Sequence, residues 1–176
     1  MRDHPQTTRS HWQSPLGLIH LTASPLGLSG LYFEDQRHLP DLQAWPQQAN
    51  NPFMLAAIGV LQAYFSGQAH ALDAPLSIPL DLHSGTAFQQ AVWHALLHIP
   101  AGRTHSYGQL AQQLNRPRAV RAVGAAVGRN PISLLVPCHR IVGAAGQLTG
   151  YAGGLWRKQA LLKTEQAQAA TIAPSP

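Results

Sequence analysis

Residues 132–140 have the sequence Ile132-Ser133-Leu134-Leu135-Val136-Pro137-Cys138-His139-Arg140, and Cys138 is the only cysteine in this chain of 176 residues. The apolar run before Pro137 predicts a buried strand, and the proline, which cannot donate to a strand ladder, marks its end. The thiol is therefore expected where a sheet gives way to a loop. The imidazole and guanidinium that follow would stabilise a thiolate, the nucleophilic form of cysteine. The alternative is a free cysteine that serves only as a small buried hydrophobic residue.

The composition is that of a globular protein with a substantial core. Hydrophobic residues make up 45% of the chain and charged residues 11%, and no apolar run reaches the roughly 18 residues of a membrane span. Residues 1–5 lack the apolar segment of a secretory signal, so a reducing, cytoplasmic location is expected. One cysteine excludes a multi-cysteine zinc finger, and the ten histidines form no convincing metal-binding pair. No metal is therefore expected.

The charge is divided unevenly between the two halves of the chain. Residues 1–81 carry three arginines against six carboxylates, whereas residues 82–176 carry seven arginines and two lysines against Glu165 alone. Such asymmetry predicts two functional units, the second of which faces a polyanion. The excess of arginine favours phosphate or base contacts, because its planar guanidinium binds bidentately. The alternative is a basic solvated face that only keeps the protein soluble.

The first half of the sequence predicts strands around one helix. Residues 17–23 and 27–34 are short apolar runs separated by a turn, which predicts a hairpin or meander. Asn51 followed by Pro52 has the pattern of a helix N-cap with proline at the first helical position. No chemical motif occurs in residues 1–83. This half is therefore predicted to be a scaffold.

The second half predicts a helical unit. A helix opens at Thr86 and stops before Pro100, a shorter one follows Ser106 as its cap, and another runs from Arg118 to about Gly128. The last two form either a DNA-binding helix-turn-helix or an ordinary helical hairpin. The helix predicted from Arg118 to about Gly128 is built largely of alanine and glycine and offers few long polar side chains for the major groove. It favours contact with the minor groove without sequence preference.

The end of the chain combines glycine-rich turns with one more helix. Ile141-Val142 and the glycines after it predict another hairpin, and residues 150–154 predict a loop with exposed backbone. Residues 155–165 predict the last helix. The stretch 166–176 is rich in alanine, glutamine and proline and has no periodicity, which predicts a disordered tail.

Several short motifs occur together in an order and spacing that resemble one protein family. They are Ser106-Tyr107, Arg121-Ala122-Val123-Gly124, Asn130-Pro131, Pro137-Cys138-His139-Arg140 and Gly150-Tyr151-Ala152-Gly153-Gly154. The family is the O6-alkylguanine-DNA alkyltransferases, also called methylated-DNA–protein-cysteine methyltransferases, of the bacterial stand-alone type. The resemblance covers about residues 84–165. It implies an α+β protein with a small ribonuclease-H-like N-terminal domain, residues 1–83, and a mostly helical C-terminal domain, residues 84–165, with a winged helix-turn-helix.

The resemblance implies direct-reversal DNA repair. The alkyl group of O6-alkylguanine, and of O4-alkylthymine, in a nucleotide flipped out of duplex DNA would pass irreversibly to Cys138, once per molecule. His139 would draw off the thiol proton through a water, Glu165 would orient the histidine, and Asn130 would hold the turn before the cysteine. The residues alone also allow Glu165 to be a solvated charge at a helix end and Asn130 to be a helix C-cap.

The resemblance also implies residues that bind DNA and the extruded base. The alkylated atom is out of reach inside the duplex, so Arg121 would fill the gap in the stack while Tyr107 assists rotation of the nucleotide. The base would then meet the backbone or side chains of Ile141, Tyr151, Ala152 and Gly153. The implied partner is double-stranded DNA containing alkylated guanine, contacted in the minor groove with little sequence specificity by a monomer. No cofactor is implied.

Three other functions remain open. A non-catalytic alkyltransferase-like protein would bind lesions without repairing them, but in that branch the cysteine is replaced, so Cys138 argues against it. A cysteine hydrolase built on Cys138, His139 and Glu165 would need an oxyanion hole and would leave the basic face unexplained. A helix-turn-helix regulator would not need the thiol.

Overall fold

The structure of the protein is a computed structural model that describes residues 4–172. It begins with an antiparallel sheet in which β1 (Thr8–Ser14), β2 (Gly17–Ser24) and β3 (Gly27–Phe33) follow one another in chain order. The hairpin predicted over β2 and β3 is confirmed. β1 carried no signal in the sequence, because it is a polar edge strand whose one large apolar side chain is Trp12.

A long helix packs on this sheet. α1 (Pro52–Phe65) begins as predicted, with the side chain of Asn51 accepting hydrogen bonds from the backbone N–H groups of Phe53 and Met54 and with proline at the first position. The helix contacts β2 and β3. Its buried residues recur at helical spacing and are Met54, Ala57, Leu61 and Tyr64. Tyr64 therefore extends from the N-terminal half into the interior of the protein.

Three short helices follow, namely α2 (Ala87–Leu96), α3 (Tyr107–Gln113) and α4 (Val120–Gly128). The first two begin where the sequence predicts, each with a capping box formed by Thr86 with Gln89 and by Ser106 with Gln109. α4 begins two residues later than predicted, after a turn, and packs against both α2 and α3. The small residues of α4 permit this close packing of helices.

The apolar run 132–136 is buried but is not a strand, so the prediction of a strand before the cysteine is wrong. Ile132 forms only an isolated bridge with Leu31 of β3, and the chain then turns tightly, with Leu134 in the left-handed region at φ 70°. Backbone groups are paired within turns and by the side chain of Asn130. An apolar run by itself does not distinguish a strand from a fully buried turn.

A second, two-stranded sheet pairs β4 (His105–Ser106) with β5 (Ile141–Val142) in parallel. The hairpin predicted at Ile141-Val142 is therefore wrong. β5 pairs with the segment that leads into α3, and the residues after β5 close a turn through a hydrogen bond from the Gly143 N–H to the Gln147 carbonyl. The local glycines predict the turn correctly, whereas the pairing partner is distant in sequence.

The last helix is α5 (Leu155–Ile172), which is longer than predicted. Residues 166–172 are helical, although the sequence predicted disorder for them, and residues 173–176 of the predicted tail lie outside the described residues. Alanine and glutamine are good helix formers, which accounts for the continuation. Glu165 consequently lies inside the helix and not at its C-terminal end.

Over residues 4–172, the structure combines a small antiparallel sheet and a two-stranded parallel sheet with five α-helices, and the two halves share one hydrophobic core. β3 contacts the second half directly, because Leu31 donates from its N–H to the Pro131 carbonyl and accepts at its carbonyl from the Ser133 N–H, each at 2.9 Å. Within residues 4–172, no helix combines the length and the apolar character needed to cross a bilayer.

Candidate active site

Cys138 opens a single turn of 3-10 helix, Cys138–Arg140, directly after the buried turn. The residue is 4% exposed, and its backbone N–H donates to the Val136 carbonyl at 2.8 Å. Its Sγ accepts a hydrogen bond from Nδ2 of Asn130 at 3.1 Å. The sulfur is thus held in one orientation, as a reacting atom requires.

Asn130 lies just after α4 and holds the turn before the cysteine together. Besides its contact with the sulfur, Nδ2 donates to the Val136 carbonyl at 2.8 Å, and Oδ1 accepts from the Ile132 N–H at 3.0 Å. The C-cap of α4 is Arg129, so the interpretation of Asn130 as the helix C-cap is wrong. One buried side chain supplies the partners that a strand ladder would otherwise provide.

His139 is fully buried and pairs with Glu165, which is also fully buried. Nε2 of the ring lies 2.8 Å from Oε1 of the carboxylate. Because a carboxylate accepts, this hydrogen bond assigns the ring proton to Nε2 and leaves Nδ1 as an acceptor. Nδ1 is buried and has no hydrogen-bond partner among the described residues. The alternative in which Glu165 is a solvated charge is therefore wrong.

Arg140 is directed toward Glu165 and not toward the thiol. Its Nε and Nη2 donate to the carboxylate at 3.0 to 3.2 Å, and its Nη1 donates to Oδ1 of Asp73 at 2.9 Å. The expectation that this guanidinium stabilises the thiolate is wrong, because its charge is paired with the buried carboxylate of Glu165 and the partly buried carboxylate of Asp73. The hydroxyl of Tyr64 and the N–H of Gly102 also donate to Glu165, each at 3.3 Å.

Burial and hydrogen bonding set the protonation of this network. Burial acts to raise the pKa of Glu165, but hydrogen bonds from His139 and the neighbouring guanidinium outweigh it and hold the pKa at about 2. Burial lowers the pKa of His139 against the opposing effect of the carboxylate. Burial raises the pKa of Cys138, and the Asn130 hydrogen bond and the charge of Lys158 act in the opposite direction. At neutral pH Cys138 is therefore a thiol, and the imidazole of the next residue, His139, is in the neutral form that accepts a proton.

A cavity of about 200 Å³ lies between α3, α4 and the loop at residues 150–154. It is lined by Arg37, His38, Tyr107, Gly124, Gly128, Gly150, Tyr151 and Ala152. Burial raises the pKa of Tyr151, and the charge of nearby Cys138 raises it further. The structure thus brings Tyr107, Tyr151 and Ala152 to one cavity, and Tyr151 is also close enough to the cysteine for their charges to interact.

The other residues implied in substrate binding lie outside the lining of this cavity. Arg121 is exposed in the first turn of α4, and Ile141 is buried, with its carbonyl accepting from Nζ of Lys158. Gly153 packs against Phe33, since a Cβ on it would lie 2.8 Å from that ring. Packing on β3 therefore accounts for glycine at this position.

Comparisons with known proteins identify the family. Residues 87–167 match the family described as 6-O-methylguanine DNA methyltransferase, DNA binding domain. The chain is 47% identical over 154 residues to the methylated-DNA–protein-cysteine methyltransferase of Mycolicibacterium paratuberculosis. This match covers 87% of the chain and 88% of that protein. The chain belongs to this family. The methyltransferase of the same name from Methanosarcina mazei is 43% identical over 155 residues, covering 88% of this chain and 94% of that protein.

Solved structures show that the similarity to methyltransferases extends over more than nine-tenths of the chain. Mycobacterium tuberculosis OGT in complex with DNA is 42% identical and superposes with a TM-score of 0.81, covering 92% of this chain and 94% of that chain. The O6-methylguanine DNA methyltransferase of Methanococcus jannaschii is 25% identical, with a TM-score of 0.61 and coverage of 95% and 96%. The mixed α/β architecture is therefore that of the family.

The sequence did not indicate three residues that contact this methyltransferase site, namely Tyr64, Asp73 and Lys158. A tyrosine on the buried face of α1 and an acid in a loop give no local signal of a contact with a distant residue. Lys158 does have a local signal in the sequence, because it shares the inward face of α5 with Leu161 and Glu165 at helical spacing. In the described part of the chain, no group of three His, Cys, Asp or Glu side chains is arranged to hold a metal ion.

Proposed function

We propose that this protein repairs alkylated DNA by direct reversal, transferring the alkyl group from O6 of guanine, and from O4 of thymine, to Sγ of its own Cys138. The observation that carries the proposal is a single cysteine, held by Asn130, next to a buried His139–Glu165 pair. Membership in the methyltransferase family supports it. A protein that only bound lesions would need neither the thiol nor this buried pair.

The thiol proton is removed first. Burial keeps the thiol of Cys138 protonated near neutral pH, so the reaction needs a base. Nδ1 of His139 takes the proton through a bridging water, since Nδ1 is the ring nitrogen left without a protein partner among the described residues. The imidazolium that forms is stabilised by the carboxylate of Glu165 at 2.8 Å from Nε2.

The thiolate then attacks the alkyl carbon in line with its bond to the purine oxygen. An S–C bond forms, the C–O bond breaks, and the electron pair of the broken bond stays with the leaving guanine. Tyr107, on the wall of the cavity, hydrogen-bonds to that base. The product at Cys138 is a thioether, which exchange with other thiols does not reverse. Each molecule therefore reacts once.

The base reaches the sulfur only after it has left the duplex. Exposed Arg121 fills the gap in the stack, and the cavity beside the glycine-rich loop receives the base. Because Cys138 is only 4% exposed, Tyr151 and its loop move to admit the base. The N–H of Ala152 donates to the guanine oxygen, and the carbonyls of Cys138 and Ile141 accept from the exocyclic amine.

The second half of the chain, residues 84–165, is the unit that binds DNA and accepts the alkyl group. α3 and α4 are the helices of a winged helix-turn-helix, and residues 1–83 form a ribonuclease-H-like scaffold. The basic charge of the second half and the DNA complex of Mycobacterium tuberculosis OGT support DNA as the partner. The short side chains of α4 favour the minor groove. The site is built within one chain, which supports a monomer, and a reactive thiol suits a reducing cytoplasm.

Intact-protein mass spectrometry tests the proposal. Wild-type protein mixed with a duplex that contains O6-methylguanine is expected to gain one methyl group, and the same duplex with unmodified guanine is expected to leave the mass unchanged. Cys138→Ser is the matched control: it should bind the methylated duplex without gaining mass. An unchanged mass of folded, DNA-binding wild-type protein would contradict alkyl transfer and favour a lesion-binding protein.

A further inference from the structure

Lys158 is a lysine with no exposed surface. It lies near the start of α5, and its Nζ donates to the Ile141 carbonyl, to the Thr149 carbonyl at 2.7 Å and more weakly to the Gly150 carbonyl at 3.5 Å. The ion pairs found among the described residues do not involve Lys158. Its ammonium is therefore satisfied by backbone oxygens.

A buried ammonium without a carboxylate partner lowers the stability of the fold. Burial lowers the pKa of Lys158 to about 8, against the opposing effect of the charge of Cys138, so the side chain is still mostly protonated at neutral pH. A methionine of similar length would fill the same space without this penalty. The ammonium differs from methionine in having three donors, and here they act on two separate segments of the chain.

These two segments flank the position proposed for the extruded base. Ile141 belongs to β5, directly after the cysteine turn, and its N–H donates to the Cys138 carbonyl. Thr149 precedes the glycine-rich loop that carries Tyr151. By binding both segments, Lys158 fixes the position of the Ile141 carbonyl relative to the loop that carries Tyr151.

We propose that Lys158 is a positioning residue that makes the pocket selective for the 2-amino group of guanine. A carbonyl oxygen has two lone pairs. The ammonium takes one lone pair of the Ile141 carbonyl and orients the other toward the base, where it accepts from the exocyclic amine. The inference rests on the proposed function, because a flipped guanine is what presents that amine. Without the ammonium, no side chain binds both the Ile141 carbonyl and the loop that carries Tyr151. The hydrogen bond from the 2-amino group of guanine to that carbonyl is then lost.

The test compares two methylated bases that differ only in that amine. Duplexes carry either O6-methylguanine or O6-methylhypoxanthine, the same purine without the 2-amino group. Single-turnover rate constants of methyl transfer are measured for wild type, Lys158→Met and Lys158→Gln, with Lys163→Met at an exposed position of the same helix as the control. Wild type and control are expected to prefer methylguanine about three- to tenfold, the effect of one neutral hydrogen bond. Both Lys158 variants are expected to lose this preference.

The alternative outcomes separate the possible failures. Equal slowing of both substrates in the Lys158 variants would indicate a purely structural role and overturn the proposal, as would a failure of both variants to fold, judged by circular dichroism. Wild-type protein that reacts with both bases at equal rates would overturn the proposal while leaving the repair function intact. Wild-type protein that takes a methyl group from neither base would contradict the repair function itself.

Discussion

The hydroxyl of Tyr64 lies 3.3 Å from Oε1 of Glu165, although the two residues are 101 positions apart in the chain. The same oxygen accepts from Nε2 of His139. Asp73, also from the N-terminal half, accepts from Nη1 of Arg140 at 2.9 Å. The half of the chain that shows no chemical motif therefore supplies one side chain that contacts the carboxylate of the pair and another that binds the arginine paired with it.

Tyr64→Phe tests whether this contact stabilises the buried carboxylate. Burial raises the pKa of Tyr64, and the charge of Glu165 raises it further, so the hydroxyl is a donor throughout the working pH range. We expect the free energy of unfolding, measured in urea, to fall by about 1–2 kcal/mol, because the lost bond is to a charged group. In a Glu165→Gln background the same substitution is expected to have a smaller effect. Equal losses in both backgrounds would show that the hydroxyl does not act on the carboxylate.

Asn130→Asp tests the amide that donates to the cysteine. The substitution keeps the shape of the side chain but places a carboxylate where a donor lies 3.1 Å from Sγ, and like charges disfavour the thiolate. We expect the rate of methyl transfer at neutral pH to fall by about tenfold or more, since one unit of thiol pKa changes the thiolate fraction tenfold. The pH–rate profile should shift toward higher pH.

Asn130→Ala is the control for that prediction, because it removes the amide without adding charge. It leaves the Ile132 N–H without its partner and removes one of the two donors to the Val136 carbonyl, which keeps the hydrogen bond from the Cys138 N–H. We expect a loss of about 1–3 kcal/mol in the free energy of unfolding. Its pH–rate profile should shift less than that of Asn130→Asp. Identical profiles for the two variants would rule out a charge effect on the thiol.

The stability of the protein should depend on the ionisation of Glu165. The pKa of this carboxyl is held at about 2 in the folded protein, below its ordinary value of 4.5. Its stabilising effect is therefore fully present above pH 4.5 and is lost as the pH falls toward 2. At neutral pH we expect Glu165→Gln to be less stable than wild type by about 3–5 kcal/mol, because it leaves the charge of Arg140 buried without this partner. In urea titrations, the difference in free energy of unfolding between wild type and Glu165→Gln should narrow at acid pH. A difference that does not change with pH would contradict the lowered pKa of Glu165.

Gly153→Ala tests the packing of the substrate loop on β3. The added Cβ would lie 2.8 Å from the Phe33 ring and 2.9 Å from the Tyr151 ring, and we expect a loss of about 1–3 kcal/mol in the free energy of unfolding. Gly150→Ala is the matched control, because a Cβ there has no neighbour within 4 Å. It is expected to change stability by less than about 0.5 kcal/mol. Equal effects of the two substitutions would exclude a packing requirement at Gly153.

The parts of the fold that could be predicted depend on interactions between neighbours in sequence. Asn51 and Pro52 start α1, and Ser106 with Gln109 starts α3, because a cap and its partner lie within one helical turn. The His139–Glu165 pair is not local, and only the resemblance of its motifs to a family indicated it.

The errors concern contacts between distant segments. Residues 132–136 are apolar because they are buried, and the Asn130 side chain, not a neighbouring strand, satisfies part of their backbone. Arg140 follows the cysteine in sequence, yet its guanidinium is directed toward Asp73 and Glu165. Neighbouring residues in a tight turn point in different directions, so their adjacency in sequence does not imply a shared environment.

The stoichiometry of methyl transfer tests the central claim most directly. Protein is mixed with an excess of a duplex containing O6-methylguanine, the methyl groups transferred are followed with time, and the modified residue is located by peptide mass spectrometry. We expect a plateau at one methyl group per chain, all of it on Cys138. Continued turnover beyond one equivalent, or a methyl group on another residue, would contradict irreversible transfer to this thiol.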